Sequence, residues 1–189
     1  GVSPYQAPDT PTTVSVSFEA GVPVAVNGEK MKVSDIIRKL NKLGGENGVG
    51  ILDIVENRLI GMKDHGIYET PGGTILYFAH EQLEMLTLEK EKLAVDYADL
   101  IYNGKWYTPL QEALTAFAKK ANEFCTGTVK LKLYKGNMIN AGITSPYSLY
   151  SENLVTFGES DFNQAEAEGF INIWGLPTKV QALREQGKL

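Results

Sequence analysis

An α+β fold, with a mostly antiparallel sheet, packed helices and a C-terminal helical oligomerisation arm, is predicted by three observations. Strand-like alternation occurs in neighbouring runs joined by short turns. Blocks of apolar residues at helical spacing lie between those runs. The two are interspersed without the regular strand–helix–strand units that build a doubly wound parallel sheet.

Residues 1–12, with Pro4, Pro8 and Pro11, carry no periodicity and read as an extended linker. The run 13–18 puts Val14, Val16 and Phe18 on one face, and 22–26 follows after a turn at 19–21, which predicts a hairpin. Ser34 is the expected N-cap of a helix. Ile36, Ile37, Leu40 and Leu43 recur at helical spacing, and Gly44-Gly45 is the expected stop. Residues 51–55 and 58–62 read as short apolar strands. Pro71-Gly72-Gly73 opens a helical region, with one helix over 74–88 and another from about 91 to 102, ended by Asn103-Gly104. Thr108-Pro109 is a capping residue followed by proline at the first helical position. It predicts a helix through Phe124 with Leu110, Leu114 and Phe117 facing a core. Residues 128–134 and 138–144 flank Lys135-Gly136-Asn137 as a hairpin, Val129, Leu131 and Leu133 alternating with Lys130 and Lys132. Residues 149–157 are irregular and 166–170 form a short helix. A last amphipathic helix spans 176–186 after Gly175. Its Leu176, Val180 and Leu183 make a narrow apolar stripe that suits a coiled-coil-like seam. A helix this short needs a docking surface to persist in water.

Composition narrows the function classes. The chain has 189 residues, 43% of them hydrophobic, and a net charge of −5. No run of Lys and Arg marks a nucleic-acid or anionic-membrane surface, so neither partner is expected. The single cysteine, Cys125, cannot form an internal disulfide and reads as a buried small hydrophobe. A reducing, cytoplasmic setting is the default expectation. No apolar run approaches the ~20 residues of a membrane span.

Two motifs lead nowhere on inspection. The glycine-rich run 44–50 lacks the Lys-Ser/Thr ending of a phosphate loop and does not pass from strand to helix. His80 and Glu84 lie one helical turn apart, but a zinc site needs about four ligands, and the other histidine, His65, lies in a predicted loop. No metal site is expected. The stretch 55–73, VENRLIGMKDHGIYETPGG, is more informative. Glu56 follows an apolar strand, and Tyr68 and Glu69 precede a turn that opens a helix. Polar groups at such ends can be aimed into a cleft. A carboxylate there can hold an ammonium or urea N–H groups, and a phenol can donate to a carboxylate or ureido oxygen. Free N–H groups of Gly72, Gly73 and Thr74 at the helix start would favour an anion.

That stretch closely resembles argininosuccinate synthases. So do Tyr97-Ala98-Asp99-Leu100-Ile101-Tyr102-Asn103-Gly104, the run 126–137, Ser145-Pro146-Tyr147-Ser148-Leu149-Tyr150, and Ala167-Glu168-Gly169-Phe170-Ile171, all in family order. The resemblance implies an enzyme of arginine biosynthesis that ligates citrulline and aspartate, with ATP cleaved to AMP and pyrophosphate and Mg²⁺ in attendance. It implies that Glu56 and Tyr68 contact citrulline as positioning groups, not as acids or bases. It implies further that ATP and aspartate are held by an N-terminal nucleotide-binding domain missing here. On this reading 1–12 is the linker from that domain, 13–170 the citrulline-binding synthetase domain, and 171–189 the helix that assembles a homotetramer. The chain alone is then expected to bind no ATP and to be inactive. Four residues depart from the family pattern: Ile51 and Ile143 stand where arginine is expected, and Asp64-His65 where Ser-Arg is expected. These departures keep an alternative open, a degenerate or non-catalytic module that only assembles subunits or binds an amino acid.

Overall fold

The computed structural model describes residues 1–58, 60–88, 97–152 and 163–188. The elements run β1 (Thr12–Glu19), β2 (Val22–Val26), β3 (Glu29–Lys30), α1 (Val33–Glu46), β4 (Ile51–Asn57), β5 (Lys63–Glu69), α2 (Pro71–Thr87), α3 (Tyr97–Tyr102), α4 (Pro109–Ala121), β6 (Gly127–Tyr134), β7 (Asn137–Thr144), α5 (Glu166–Trp174) and α6 (Leu176–Glu185). They form two compact units, Gly1–Leu149 and Tyr150–Leu189. The fold is α+β, and among the described residues every strand pairing is antiparallel.

Alternation in the two predicted hairpins builds the main sheet, of order β3-β2-β1-β6-β7. The hairpins meet through β1 and β6, where Val14 sits opposite Leu131 and Val16 opposite Val129. These side chains and Leu133 are fully buried, while Lys130 and Lys132 point to solvent. Helix α1 covers this face with Ile36 and Leu40, and α2 with Ile75, Ala79 and Leu83. Burial of each Val, Leu or Ile contributes roughly 1.5–3 kcal/mol. The second sheet is the hairpin β4–β5 alone, which leaves the chain between α1 and α2.

Several boundaries differ from expectation, each for a local reason. Helix α1 starts at Val33 with Lys32 at the N-cap and no side-chain cap, so Ser34 lies inside the first turn. The chain is tied to β2 until Met31, whose N–H donates to the Val24 carbonyl at 3.1 Å, and this fixes where the helix can begin. Gly44 and Gly45 do not stop α1 but lie buried within it. The described residues of the predicted strand 58–62, which are 58 and 60–62, are not a strand. They belong to the turn between β4 and β5, where the Arg58 N–H donates to the Met62 carbonyl at 2.8 Å, and the return strand is Lys63–Glu69. Helix α2 begins at Pro71, ahead of the glycines. Helix α4 has its predicted start, Thr108 Oγ1 accepting from the Gln111 N–H at 3.4 Å, but ends at Ala121. It buries no residue. Leu110 is 56% and Phe117 38% exposed, so helical spacing there records amphipathicity without a core behind it. Helix α5 continues four residues past Phe170 to Trp174. The predicted helix from 91 and the irregular stretch 149–157 fall partly outside the described residues.

The first twelve residues, read as an extended linker, lie along the first unit. The Val2 N–H donates to the Gly45 carbonyl at 2.9 Å, Ala7 is buried, and Asp9 pairs with Lys135 at 2.5 Å.

The two buried helices approach through glycine. A Cβ on Gly44 would stand 2.7 Å from Pro71 Cβ and 3.0 Å from Ile75 Cδ1. One on Gly72 would stand 2.8 Å from the Ile37 carbonyl oxygen in the facing helix. Alanine favours a helix over glycine by about 0.8–1.0 kcal/mol, but overpacking costs about 1–3 kcal/mol. Gly44→Ala is therefore expected to lower the urea midpoint of the purified chain. A midpoint that held or rose would show that the crossing has room to spare.

Candidate functional site

The β4–β5 ribbon decides which side chains meet. Leu52 pairs with Tyr68, Ile54 with Gly66 and Glu56 with Asp64. Side chains alternate between faces with period two, so Glu56, Asp64, Gly66 and Tyr68 share one face. Asp53, Val55, His65 and Ile67 take the other. On the first face the Tyr68 hydroxyl donates to Glu56 Oε1, and Arg58 Nη1 donates to Asp64 Oδ2 at 3.3 Å. Tyr68 is 41% exposed, so the pair is open to solvent. The hydrogen bond to Glu56 holds the Tyr68 hydroxyl above its ordinary value of 10.0. Desolvation and the charges of Glu56 and Asp64 push the same way, and Arg58 opposes them. The phenol has one proton, here donated to Glu56, so the pair as it stands can receive N–H donors, and the hydroxyl can serve another oxygen acceptor only by turning from Glu56.

The ribbon is pinned at its base. The Thr70 N–H donates to the Gly50 carbonyl at 2.9 Å, and a Cβ on Gly50 would stand 2.6 Å from Pro71 Cα. Helix α2 starts there, but its first amides are not all free as expected. The Gly72 N–H is taken by Asn41 Oδ1 at 2.8 Å, and the Thr74 N–H by the Thr70 carbonyl at 2.9 Å. An open groove of about 370 Å³ begins at the same point and runs along α2 to β7, lined by Gly73, Thr74, Tyr77, Phe78 and Met138 among others.

The remaining candidates are structural. Gly44 and Gly45 of the glycine-rich run are inside α1, while Gly48 and Gly50 are held against Pro4 and Pro71, which fill the space a phosphate would need. His80 Nδ1 lies 3.3 Å from Glu84 Oε1, and its ring meets Phe18 edge-on at 5.6 Å. Cys125 is fully buried, and its Sγ lies 3.8 Å from His80 Nε2. Burial pushes the thiol up to about 11, so at neutral pH it keeps its proton and is a poor nucleophile. His65 is not in a loop but on the far face of the ribbon, its Nε2 2.6 Å from Asp53 Oδ1. Among the described residues no group of three or more His, Cys, Asp or Glu is placed to hold a metal. No helix among them is long and apolar enough to cross a membrane.

Sequence reasoning marks Asp64 only as a departure from the family pattern and does not single out Gly66. The signal was present. Once the return strand is placed at 63–69, period-two alternation puts both on the face of Glu56 and Tyr68.

Glu56→Gln removes the charge that anchors the Tyr68 proton, and Tyr68 is expected to titrate closer to the ordinary range, as read by NMR of ring-labelled tyrosine. The native raised value means that this bond stabilises the fold fully below pH 10.0 and is lost as pH rises through the folded value. An unmoved Tyr68 in Glu56→Gln would show that the two groups do not bond in solution.

The family model of the arginosuccinate synthase C-terminal domain matches residues 2–181. The argininosuccinate synthase of Desulforamulus reducens is 57% identical over 192 residues, covering 98% of this chain and 48% of that protein. Those of Acetivibrio thermocellus and Carboxydothermus hydrogenoformans are each 58% identical, over 98% and 97% of this chain and 47% of the relative. The chain thus spans about half the length of the curated relatives it matches. Its residues 2–181 make it a member of the argininosuccinate synthase family, corresponding to the C-terminal domain.

Proposed function

We propose that this chain supplies the citrulline-binding and subunit-assembling half of an argininosuccinate synthase, a ligase of arginine biosynthesis joining citrulline to aspartate. The observation that carries the reading is the convergence of Glu56 and Tyr68 on one point of the ribbon. A ureido group offers N–H donors beside an oxygen acceptor, and a carboxylate with a phenol matches both when the Tyr68 proton turns from Glu56 to the ureido oxygen. Neither residue exchanges a proton with substrate in this reading. They hold citrulline while chemistry proceeds on groups supplied elsewhere.

ATP, its Mg²⁺ and aspartate belong to the remainder of the enzyme. Among the described residues the prolines Pro4 and Pro71 lie against Gly48 and Gly50, and no group of three or more His, Cys, Asp or Glu is set for a metal, so this reading places neither phosphate nor Mg²⁺ on them. This reading assigns no catalytic step to this chain, and the chain alone is expected to be inactive. An anion at the start of α2 would rest on Gly73, because Gly72 and Thr74 already donate within the fold. The setting is cytoplasmic.

In an argininosuccinate synthase carrying this chain as its C-terminal half, Glu56→Ala and Tyr68→Phe raise the citrulline KM and leave the ATP KM nearly unchanged. Each loses a hydrogen bond worth about 0.5–3 kcal/mol. An equal rise for both substrates in steady-state assays would point to a folding defect and remove the assignment.

Subunit assembly is proposed for the second unit on its uncovered apolar surface. Trp174 is 76% exposed, Phe170 stacks on it at 5.5 Å, and Leu176 and Val180 lie exposed on α6. A homotetramer buries such surface between subunits. Val180→Asp with Leu183→Asp is expected to lower the mass measured by light scattering while circular dichroism is retained. An unchanged mass would exclude α6 from the interface.

A further inference from the structure

We propose that Gly66 is a positioning residue for the Glu56–Tyr68 subsite. Its missing Cβ is the space that lets the Tyr68 ring lie along the ribbon and set its hydroxyl on Glu56. The proposal rests on the reading of Glu56 and Tyr68 as citrulline groups and names what brings them together.

The geometry demands such a space. Tyr68 stands on the rung with Leu52, Glu56 on the rung with Asp64, and the rung Ile54–Gly66 lies between. At about 3.3–3.4 Å per residue, the outer rungs are roughly 13 Å apart along the strand. A tyrosine standing upright from the sheet cannot span that gap, so its ring must lie down toward Glu56. The position it crosses is residue 66. A Cβ there would stand 2.5 Å from Tyr68 Cε2 and 2.7 Å from both Cζ and the hydroxyl oxygen.

Nothing in the backbone asks for glycine at this point. Gly66 is not among the positive-φ residues, and a glycine in a strand weakens it. The group that must yield to a Cβ is the free end of a solvent-exposed side chain, not backbone. An alanine is therefore accommodated by Tyr68 swinging off the ribbon, with the fold kept and the convergence lost.

Two measurements test this. In the chain itself, Gly66→Ala is compared with wild type by NMR of ring-labelled tyrosine across the alkaline range, with Tyr68→Phe identifying the resonance and circular dichroism monitoring the fold. The expected result is a folded variant in which Tyr68 titrates lower than in wild type, closer to its ordinary value of 10.0. In an argininosuccinate synthase carrying the chain, Gly66→Ala is expected to raise the citrulline KM about three- to tenfold, the size expected for one lost hydrogen bond. The ATP KM should stay, and Gly66→Ala should add nothing on top of Tyr68→Ala. A Tyr68 titration unchanged by Gly66→Ala overturns the proposal, as does a further loss in the Tyr68→Ala background. If Gly66→Ala fails to fold, Gly66→Ala with Tyr68→Ala decides. Recovery of the fold supports the clash, and continued failure refutes it. If Tyr68 is released but neither Gly66→Ala nor Tyr68→Phe moves the citrulline KM, the positioning role stands and the citrulline reading falls.

Discussion

The close crossing of α1 and α2 is the constraint on which the rest of the first unit depends. Gly44 receives Pro71 and Ile75, and Gly72 receives the backbone of α1 at Ile37. Because no Cβ intervenes, the two helices sit near enough for Ile36, Leu40, Ile75, Ala79 and Leu83 to close one core over the sheet. Asn41 adds a polar clamp by accepting the Gly72 N–H, which also satisfies an amide that a helix start leaves unpaired. The chain between the helices has only one way out, as a ribbon whose ends are held side by side by Gly50 and Thr70. The placement of Glu56 and Tyr68 thus descends from a packing contact at the foot of the ribbon.

Much of this was legible in the sequence, and the failures have physical causes. The hairpins at 13–26 and 128–144 have β-branched residues, a turn at each apex and one buried face, so pattern and burial agree there. The β4–β5 ribbon is different. Ile51, Val55 and Ile67 are exposed while Asp64 is half-buried, so hydrophobic alternation does not mark its inner and outer faces. Gly66 and the polar residues around it dilute the strand signal, while Ile60 and Met62 in the loop imitate one. Glycine was misread at Gly44-Gly45 for a related reason. A helix stop and a helix crossing both select glycine, and only the neighbouring helix distinguishes them. The roles of Glu56 and Tyr68 came from resemblance. Their meeting requires the register, which no local pattern supplies.

The departures from the family pattern gain separate meanings from the ribbon geometry. Asp64 lies opposite Glu56 on the site face and is engaged by Arg58, so its negative charge is partly answered. His65 falls on the far face against Asp53. Ile51 opens β4 opposite Glu69, and Ile143 packs beside the core through its pairing with Val129. Only Asp64 therefore shares a face with Glu56 and Tyr68.

The pairing register also limits how this region can change in length. Glu56 and Tyr68 are separated by 12 positions, and the strand segments between them are paired rung by rung from Asn57–Lys63 to Leu52–Tyr68. A single-residue insertion or deletion within either strand would turn every later side chain to the opposite face and part the two groups. The last paired rung is Asn57–Lys63, and the tip beyond it is free of that parity. Indels between the two groups are thus tolerable only at the ribbon's tip, which makes a gap-free strand pair with a length-variable apex the signature this site should leave in any set of related sequences.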